Sequence, residues 1–159
     1  MSLSIYKRLE NKEKLLINKI VKFYSKNLIS IVIFGSFARF EPSVNSDFDV
    51  LIILEKTDKK FRERISEFYN NIDTYIEEGE IDIFISPYIL TKDEALKFHP
   101  IYLGIVETNR IVYDKKNFFK SILSKVKKLM ETGAIERINE ESKTYWRIKD
   151  EEILSKRLY

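Results

Sequence analysis

Three short apolar runs, rich in β-branched residues, most constrain the fold of this chain of 159 residues. The runs are Leu28 to Phe34, Asp47 to Leu54, and Glu80 to Ser86, which Pro87 is expected to end. Each has the length and composition of a buried strand. Apolar residues at helical spacing predict helices over 5–26, over 115–132, and from Thr57 to about Glu78. Strands that alternate with helices in this way predict an α/β fold.

The composition restricts the class of protein. A length of 159 residues predicts one domain over 1–159, large enough to bury a core without a disulfide or metal staple. The absence of cysteine excludes a disulfide scaffold, a thiol nucleophile and a cysteine-based zinc site, and fits a reducing compartment. The longest apolar run, Leu28 to Phe34, is far too short to span a membrane. We therefore expect a cytoplasmic protein with no membrane partner.

The segment that follows the first strand carries the chemistry. Gly35 and Ser36 end that strand at the start of a helical turn, where a small hydroxyl beside free backbone amides suits a phosphate group. Asp47 and Asp49 then occupy alternate positions of the second strand, so their carboxylates point to the same side. Two carboxylates on the same side of one strand repel each other unless a cation lies between them. Ligands that offer only oxygen atoms select Mg²⁺ or Mn²⁺. The pattern predicts Mg-nucleotide chemistry.

A third carboxylate, Asp82, interrupts the apolar strand EIDIFIS. A charge in such a strand is unfavourable unless it is paired or metal-bound. If the third strand lies beside the second, Asp82 completes a set of three carboxylates with Asp47 and Asp49. The alternative is that it pairs with a buried arginine.

These residues resemble the signature of the DNA polymerase β-like nucleotidyltransferase superfamily, and most closely its minimal, antitoxin-type members. The similarity covers residues 30–86 well, with Gly35-Ser36, ten intervening residues, and Asp47-x-Asp49 as its motif. It implies a short mixed sheet flanked by helices, a catalytic core at about 28–90 and a small C-terminal extension at about 100–159. The resemblance also implies that Gly35 and Ser36 bind nucleotide phosphates, that Asp47 and Asp49 bind two Mg²⁺ ions, and that Asp82 is the third catalytic and metal-binding carboxylate.

Two further features have competing interpretations. Arg39, four residues after Gly35, either contacts the triphosphate as a nucleotide-binding residue or pairs with Glu41 or a core carboxylate. Residues 114–130 contain six lysines and one aspartate, a pattern that either attracts nucleic acid or forms the solvated face of an amphipathic helix.

The expected activity is metal-dependent transfer of a nucleoside monophosphate, AMP from ATP, to a hydroxyl group. Pyrophosphate is the leaving group in this reaction. The acceptor remains open between a tyrosine of a partner protein and a small molecule. The resemblance implies a HEPN-type helical toxin as the partner in the first case and an aminoglycoside-like acceptor in the second. A non-catalytic nucleotide-binding interaction module is the third alternative.

Overall fold

A computed structural model describes residues 3–41, 46–72, 84–140, 143–149 and 151–158 of the chain. The strands are β1 (Leu28–Phe34), β2 (Phe48–Leu54), β3 (Ile85–Thr91), β4 (Asn109–Asp114), β5 (Ile135–Glu140) and β6 (Lys143–Ile148). The α-helices are α1 (Leu3–Tyr24), α2 (Gly35–Ala38), α3 (Phe61–Ile72), α4 (Lys92–Ala95), α5 (Ile101–Glu107) and α6 (Phe118–Glu131). Short 3₁₀ turns cover Ser25–Asn27, Lys115–Asn117 and Glu151–Leu154.

Strands β1 to β4 form one mixed sheet in the order β3-β2-β1-β4. Strand β1 pairs antiparallel with both β2 and β4, whereas β2 pairs parallel with β3. Strands β5 and β6 form a separate antiparallel hairpin. The predicted α/β fold with a short mixed sheet is confirmed. A strand from the predicted C-terminal extension, β4, forms one edge of the central sheet.

Both faces of the sheet are covered, which explains why its central strands are apolar at consecutive positions. On one face, Ile31 and Ile33 of β1 pack with side chains of α1, α2 and α3. On the other face, Val32 of β1 and Leu51 of β2 pack with α4, α5, α6 and the β5–β6 hairpin. The apolar face of the amphipathic helix α6 includes Phe119, Ile122 and Val126, which are all buried.

The predicted end of the third strand at Pro87 is wrong, because β3 continues to Thr91. The backbone N–H of Phe48 donates to the carbonyl oxygen of Phe84, at 2.7 Å. In a parallel ladder that starts this way, the even-numbered residues of β3 bond to β2 and Pro87 faces the open edge. An edge strand tolerates a proline there because no partner needs its missing N–H.

The predicted helix start at Thr57 is also wrong, because α3 begins at Phe61. The preceding residues form a turn in which the backbone N–H of Lys60 donates to the Glu63 carboxylate, at 2.6 Å. The Asn27 side chain holds Lys56 through hydrogen bonds to both its N–H and its C=O. Local side-chain hydrogen bonds thus delay the helix by about one turn.

Arg64 and Glu94 link α3 to the far end of β3. The buried Arg64 guanidinium donates to both Glu94 carboxylate oxygens, at 2.6 and 2.9 Å, and to the carbonyl oxygen of Ile89. Glu94 also forms a capping box with Thr91 at the start of α4. The hydrogen bonds from Arg64 lower the pKa of Glu94 despite its partial burial.

None of the described helices has both the length and the apolar character that crossing a membrane would require.

We predict that Glu94→Gln destabilises the protein by about 1–2 kcal/mol at pH 7, because it removes the charged partner of a buried arginine while part of Glu94 is solvent-exposed. A lowered pKa in the folded state gives stability above the unfolded pKa of about 4.3, and this stability is lost as the pH falls through the folded pKa. Urea unfolding at pH 7 and pH 3 measures both effects. A penalty that is equal at the two pH values would contradict this account.

Candidate active site

The junction between β1 and α2 forms the first part of the site. Phe34 is extended, and Gly35 then takes a left-handed conformation with φ +69°, which only glycine adopts readily. The single turn of α2 is held by Phe37 and Ala38, both buried, and the Phe37 ring lies edge-on to that of Phe48. This anchoring leaves Gly35 and Ser36 half-buried at the end of the sheet.

Asp49 lies directly against this glycine. It is the register partner of Phe34 in the antiparallel β1–β2 pair. A Cβ atom placed on Gly35 would overlap Oδ2 of Asp49 and lie 3.4 Å from its Cγ. Two reasons therefore favour glycine at position 35: its backbone has a positive φ, and a Cβ atom there would occupy the space of the Asp49 carboxylate.

Ser86 holds the other side of Asp49 and was not identified from the sequence. The parallel β2–β3 register places Ser86 opposite Asp49, and the Ser86 side chain hydrogen-bonds to the carboxylate. Burial raises the pKa of Asp49, the bond from Ser86 partly offsets this, and the nearby charge of Asp47 raises it further. The sequence carries no signal for Ser86, because its place beside Asp49 depends on the β2–β3 register.

Asp47 precedes β2 and is exposed, yet its charge acts on Asp49. The structure thus brings these two carboxylates close enough to interact, and Asp49 lies against Gly35. Within the described ranges, no group of three or more acidic or histidine side chains is placed to hold a metal ion. Asp82 lies outside the described residues, so its position near Asp47 and Asp49 stays a prediction. Strand β3, whose first residues follow it, does lie beside β2 as the sequence analysis required.

The donor set fits a hard divalent cation. Two carboxylates at alternate positions, one of them half-buried with a raised pKa, form a site in which the doubly ionised state is unfavourable without a compensating positive charge. Carboxylate oxygens are the ligands that Mg²⁺ and Mn²⁺ prefer.

Arg39 lies at the C-terminal end of α2 and is exposed. Its Nε is 3.6 Å from a carboxylate oxygen of Glu41, and both side chains are more than half exposed. An ion pair of this kind contributes little to stability and leaves the guanidinium free to change partner. In this structure Arg39 therefore adopts the alternative pairing considered from the sequence, one turn away from Gly35.

We predict that Gly35→Ala destabilises the protein by about 1–3 kcal/mol more than Gly133→Ala does. Both glycines have positive φ, so both substitutions carry about 1–2 kcal/mol of backbone strain. A Cβ atom on Gly133 meets nothing within 4 Å, whereas one on Gly35 overlaps the Asp49 carboxylate. Urea unfolding of the two variants measures the difference. Equal losses would mean that Asp49 does not pack against Gly35.

We predict that Asp49→Asn leaves the protein at least as stable as wild type at pH 7, without added metal or nucleotide. Because the folded state raises the pKa of Asp49, wild type loses stability as the pH rises from the unfolded pKa of about 3.9 through the folded value. Asparagine does not titrate, so the advantage of the variant grows from pH 3 to pH 7. Thermal unfolding from pH 3 to pH 7 measures the stability of the variant relative to wild type. A relative stability that falls between pH 3 and pH 7 would contradict the prediction.

Comparison with known proteins identifies the family of this chain. The family profile described as the nucleotidyltransferase domain matches residues 16–153. A protein of Methanocaldococcus jannaschii, named "putative protein adenylyltransferase", is 32% identical over 147 residues, which are 87% of this chain and 97% of that protein.

Two solved structures are more distant. A crystal structure of the spectinomycin adenyltransferase AAD(9) from Enterococcus faecialis with ATP and spectinomycin has a TM-score of 0.52 at 16% identity, over 67% of this chain and 58% of that one. A structure of the tri-AMPylated Shewanella oneidensis HEPN toxin in complex with MNT antitoxin has a TM-score of 0.47 at 14% identity, over 76% and 88%. The first likeness supports the fold alone. The family profile and the 32% identical relative show that this chain belongs to the nucleotidyltransferase family and is a transferase enzyme.

Proposed function

We propose that this enzyme is a protein adenylyltransferase that transfers AMP from ATP to a hydroxyl group of a partner protein, in the cytoplasm. The observation that carries the proposal is the Asp49 carboxylate packed against Gly35 at the start of α2, with Asp47 beside it. Two carboxylates that would suit a cation, next to a turn that would suit phosphate, support metal-dependent chemistry on a nucleotide. The name of the 32% identical relative supports a protein as the acceptor.

In this proposal, Gly35 and Ser36 bind the triphosphate. The positive end of the α2 turn and the Ser36 hydroxyl supply hydrogen-bond donors to phosphate oxygens. The exposed Arg39 exchanges its weak pairing with Glu41 for a contact with the same phosphates. Ser86 keeps the Asp49 carboxylate in place through its hydrogen bond.

Asp47 and Asp49, with Asp82 as the proposed third ligand, would hold Mg²⁺, two ions by analogy with the family, or Mn²⁺. When bound, such ions neutralise the phosphate charge and lower the pKa of an attacking hydroxyl. The raised pKa of Asp49 supports this role, because a bound cation would remove the electrostatic cost of ionising it beside Asp47.

The proposed reaction is a displacement at the α-phosphorus of ATP. The acceptor oxygen forms a bond to that phosphorus, and the bond from the phosphorus to the oxygen bridging to the β-phosphate breaks. Pyrophosphate leaves with that bridging oxygen, and the hydroxyl proton is released, on the side of the site assigned to Asp82. The products are the adenylylated acceptor and pyrophosphate.

We further propose that the acceptor is a tyrosine of a HEPN-type helical protein. The antitoxin-type resemblance of the motif and the protein-directed name of the relative support this choice. A small molecule of the aminoglycoside kind, or an RNA end, would leave a different labelled product in the same assay.

We predict that incubation with α-³²P-labelled ATP, Mg²⁺ and a HEPN-type partner encoded beside this chain transfers label to the partner band on a gel. Asp49→Asn should abolish the transfer, because the substitution removes a metal-binding oxygen while preserving the fold. The matched control is Asp93→Asn, at an exposed aspartate of α4 whose pairing partner is Arg157. Label that appears only on a small molecule or only on RNA would contradict the proposed acceptor. Label transfer that survives in Asp49→Asn would contradict the site.

A further inference from the structure

Arg110 of β4 joins three elements behind the phosphate-binding turn. Its two terminal nitrogens donate to the two carboxylate oxygens of Glu13 in α1, at 2.8 and 2.6 Å. One of them also donates to the carbonyl oxygen of Phe37 in α2, at 3.2 Å. The Arg110 and Glu13 side chains are only 23% and 15% exposed. A bidentate pair with little solvent access has a defined geometry, so it can hold the α2 backbone in place.

The residue that leaves α2 is also held by Arg110. Phe40 has φ +59°, a left-handed conformation that is unfavourable for a bulky residue. Its ring is 67% exposed and gains little from burial, but it lies over the Arg110 guanidinium at 4.7 Å. This cation–π contact offsets part of the strain. The next backbone N–H, of Glu41, donates to the carbonyl oxygen of Ser36 at 3.1 Å and closes the turn.

A helix of four residues does not hold its own conformation, because one turn forms too few hydrogen bonds to offset the entropy of ordering. The conformation of α2 therefore depends on what anchors it. Phe37 and Ala38 anchor its side chains in the core, and Arg110 anchors its backbone through the Phe37 carbonyl oxygen. Displacement of that carbonyl group would move the amides of Gly35 and Ser36 with it.

We propose that Arg110 and Glu13 are positioning residues for nucleotide binding: they touch no substrate, but they hold the α2 turn in the conformation that receives the triphosphate. The inference rests on the proposed function, in which Gly35 and Ser36 bind those phosphates. Removal of either charge loosens the turn, and ATP binding then has to order it. The affinity for Mg-ATP falls as a result, while the KM for the acceptor does not change.

Arg64 and Glu94 provide a matched control within the same chain. Arg64 also makes a bidentate pair, at 2.6 and 2.9 Å, and also donates to a carbonyl oxygen of another element, that of Ile89 at 3.1 Å. The hydrogen bonds of Arg64 go to Lys59, Ile89 and Glu94, so they join α3 to β3 and α4, and none of these acceptors lies in α2. Loss of this pair should affect stability in a similar way without moving the phosphate turn.

The test compares Arg110→Gln, Glu13→Gln and Arg64→Gln, with calorimetric Mg-ATP binding, transfer kinetics and urea unfolding measured on each. We expect the Arg110 and Glu13 variants to raise the Kd and the KM for Mg-ATP about tenfold, with the KM for the acceptor unchanged. Arg64→Gln should lose comparable stability but bind Mg-ATP within about twofold of wild type. Arg110→Lys, which keeps the charge but not the bidentate geometry, should restore part of the affinity.

A variant that fails to fold does not end the test. Phe40→Leu removes the ring over Arg110 at an exposed position, so we expect near-wild-type folding and about a threefold rise in the Kd for Mg-ATP. Equal losses of affinity in the Arg110 and Arg64 variants, or wild-type affinity in both Arg110→Gln and Phe40→Leu, would overturn the inference. Wild-type protein that does not bind Mg-ATP would instead overturn the proposed function, and this inference with it.

Discussion

The antiparallel pairing of β1 with β2 is the constraint on which the rest of the site depends. Its register sets Phe34 opposite Asp49, so the residue that follows Phe34 meets the carboxylate of Asp49. A shift of one residue would turn Asp49 to the other face of the sheet, where Val50 and Ile52 pack against α1 and α3. The apolar side chains buried on both faces hold this register. Core packing therefore also fixes the position of Asp49 in the site.

The site places an ionisable group where the folded chain disfavours its charge. Asp49 is half-buried, close to Asp47, and wedged against a glycine that no other residue could replace without moving it. Ser86 supplies one compensating hydrogen bond from the neighbouring parallel strand. An unfavourable arrangement of this kind persists because the surrounding sheet is strongly stabilised, and it favours ligands that bring positive charge.

The elements around the sheet have different relations to the site. Helices α4, α5 and α6 cover the face on which Leu51 and Val32 lie, whereas α1 and β4 contribute the Glu13–Arg110 pair, which is bonded to α2. The same chemistry recurs at Arg64 and Glu94, which fasten α3 to the far end of β3. A buried arginine and a partly exposed one thus brace opposite ends of one sheet, and of the two only Arg110 donates a hydrogen bond to α2.

Much of this could be read from local sequence. The β-branched runs predicted β1 and β2 to within one residue, and the Gly35-Ser36 and Asp47-x-Asp49 spacing predicted the family. The predicted end of β3 was wrong because Pro87 breaks a strand only when a neighbouring strand needs its N–H, and the sequence does not say which strand lies at an edge.

Local patterns report what a residue prefers, so they determined most of the elements, the motif and the family. Tertiary structure alone decided the contacts between residues far apart in the chain, because the β2–β3 register brings Ser86 to Asp49 and the order of the sheet brings Arg110 to Glu13 and Phe37.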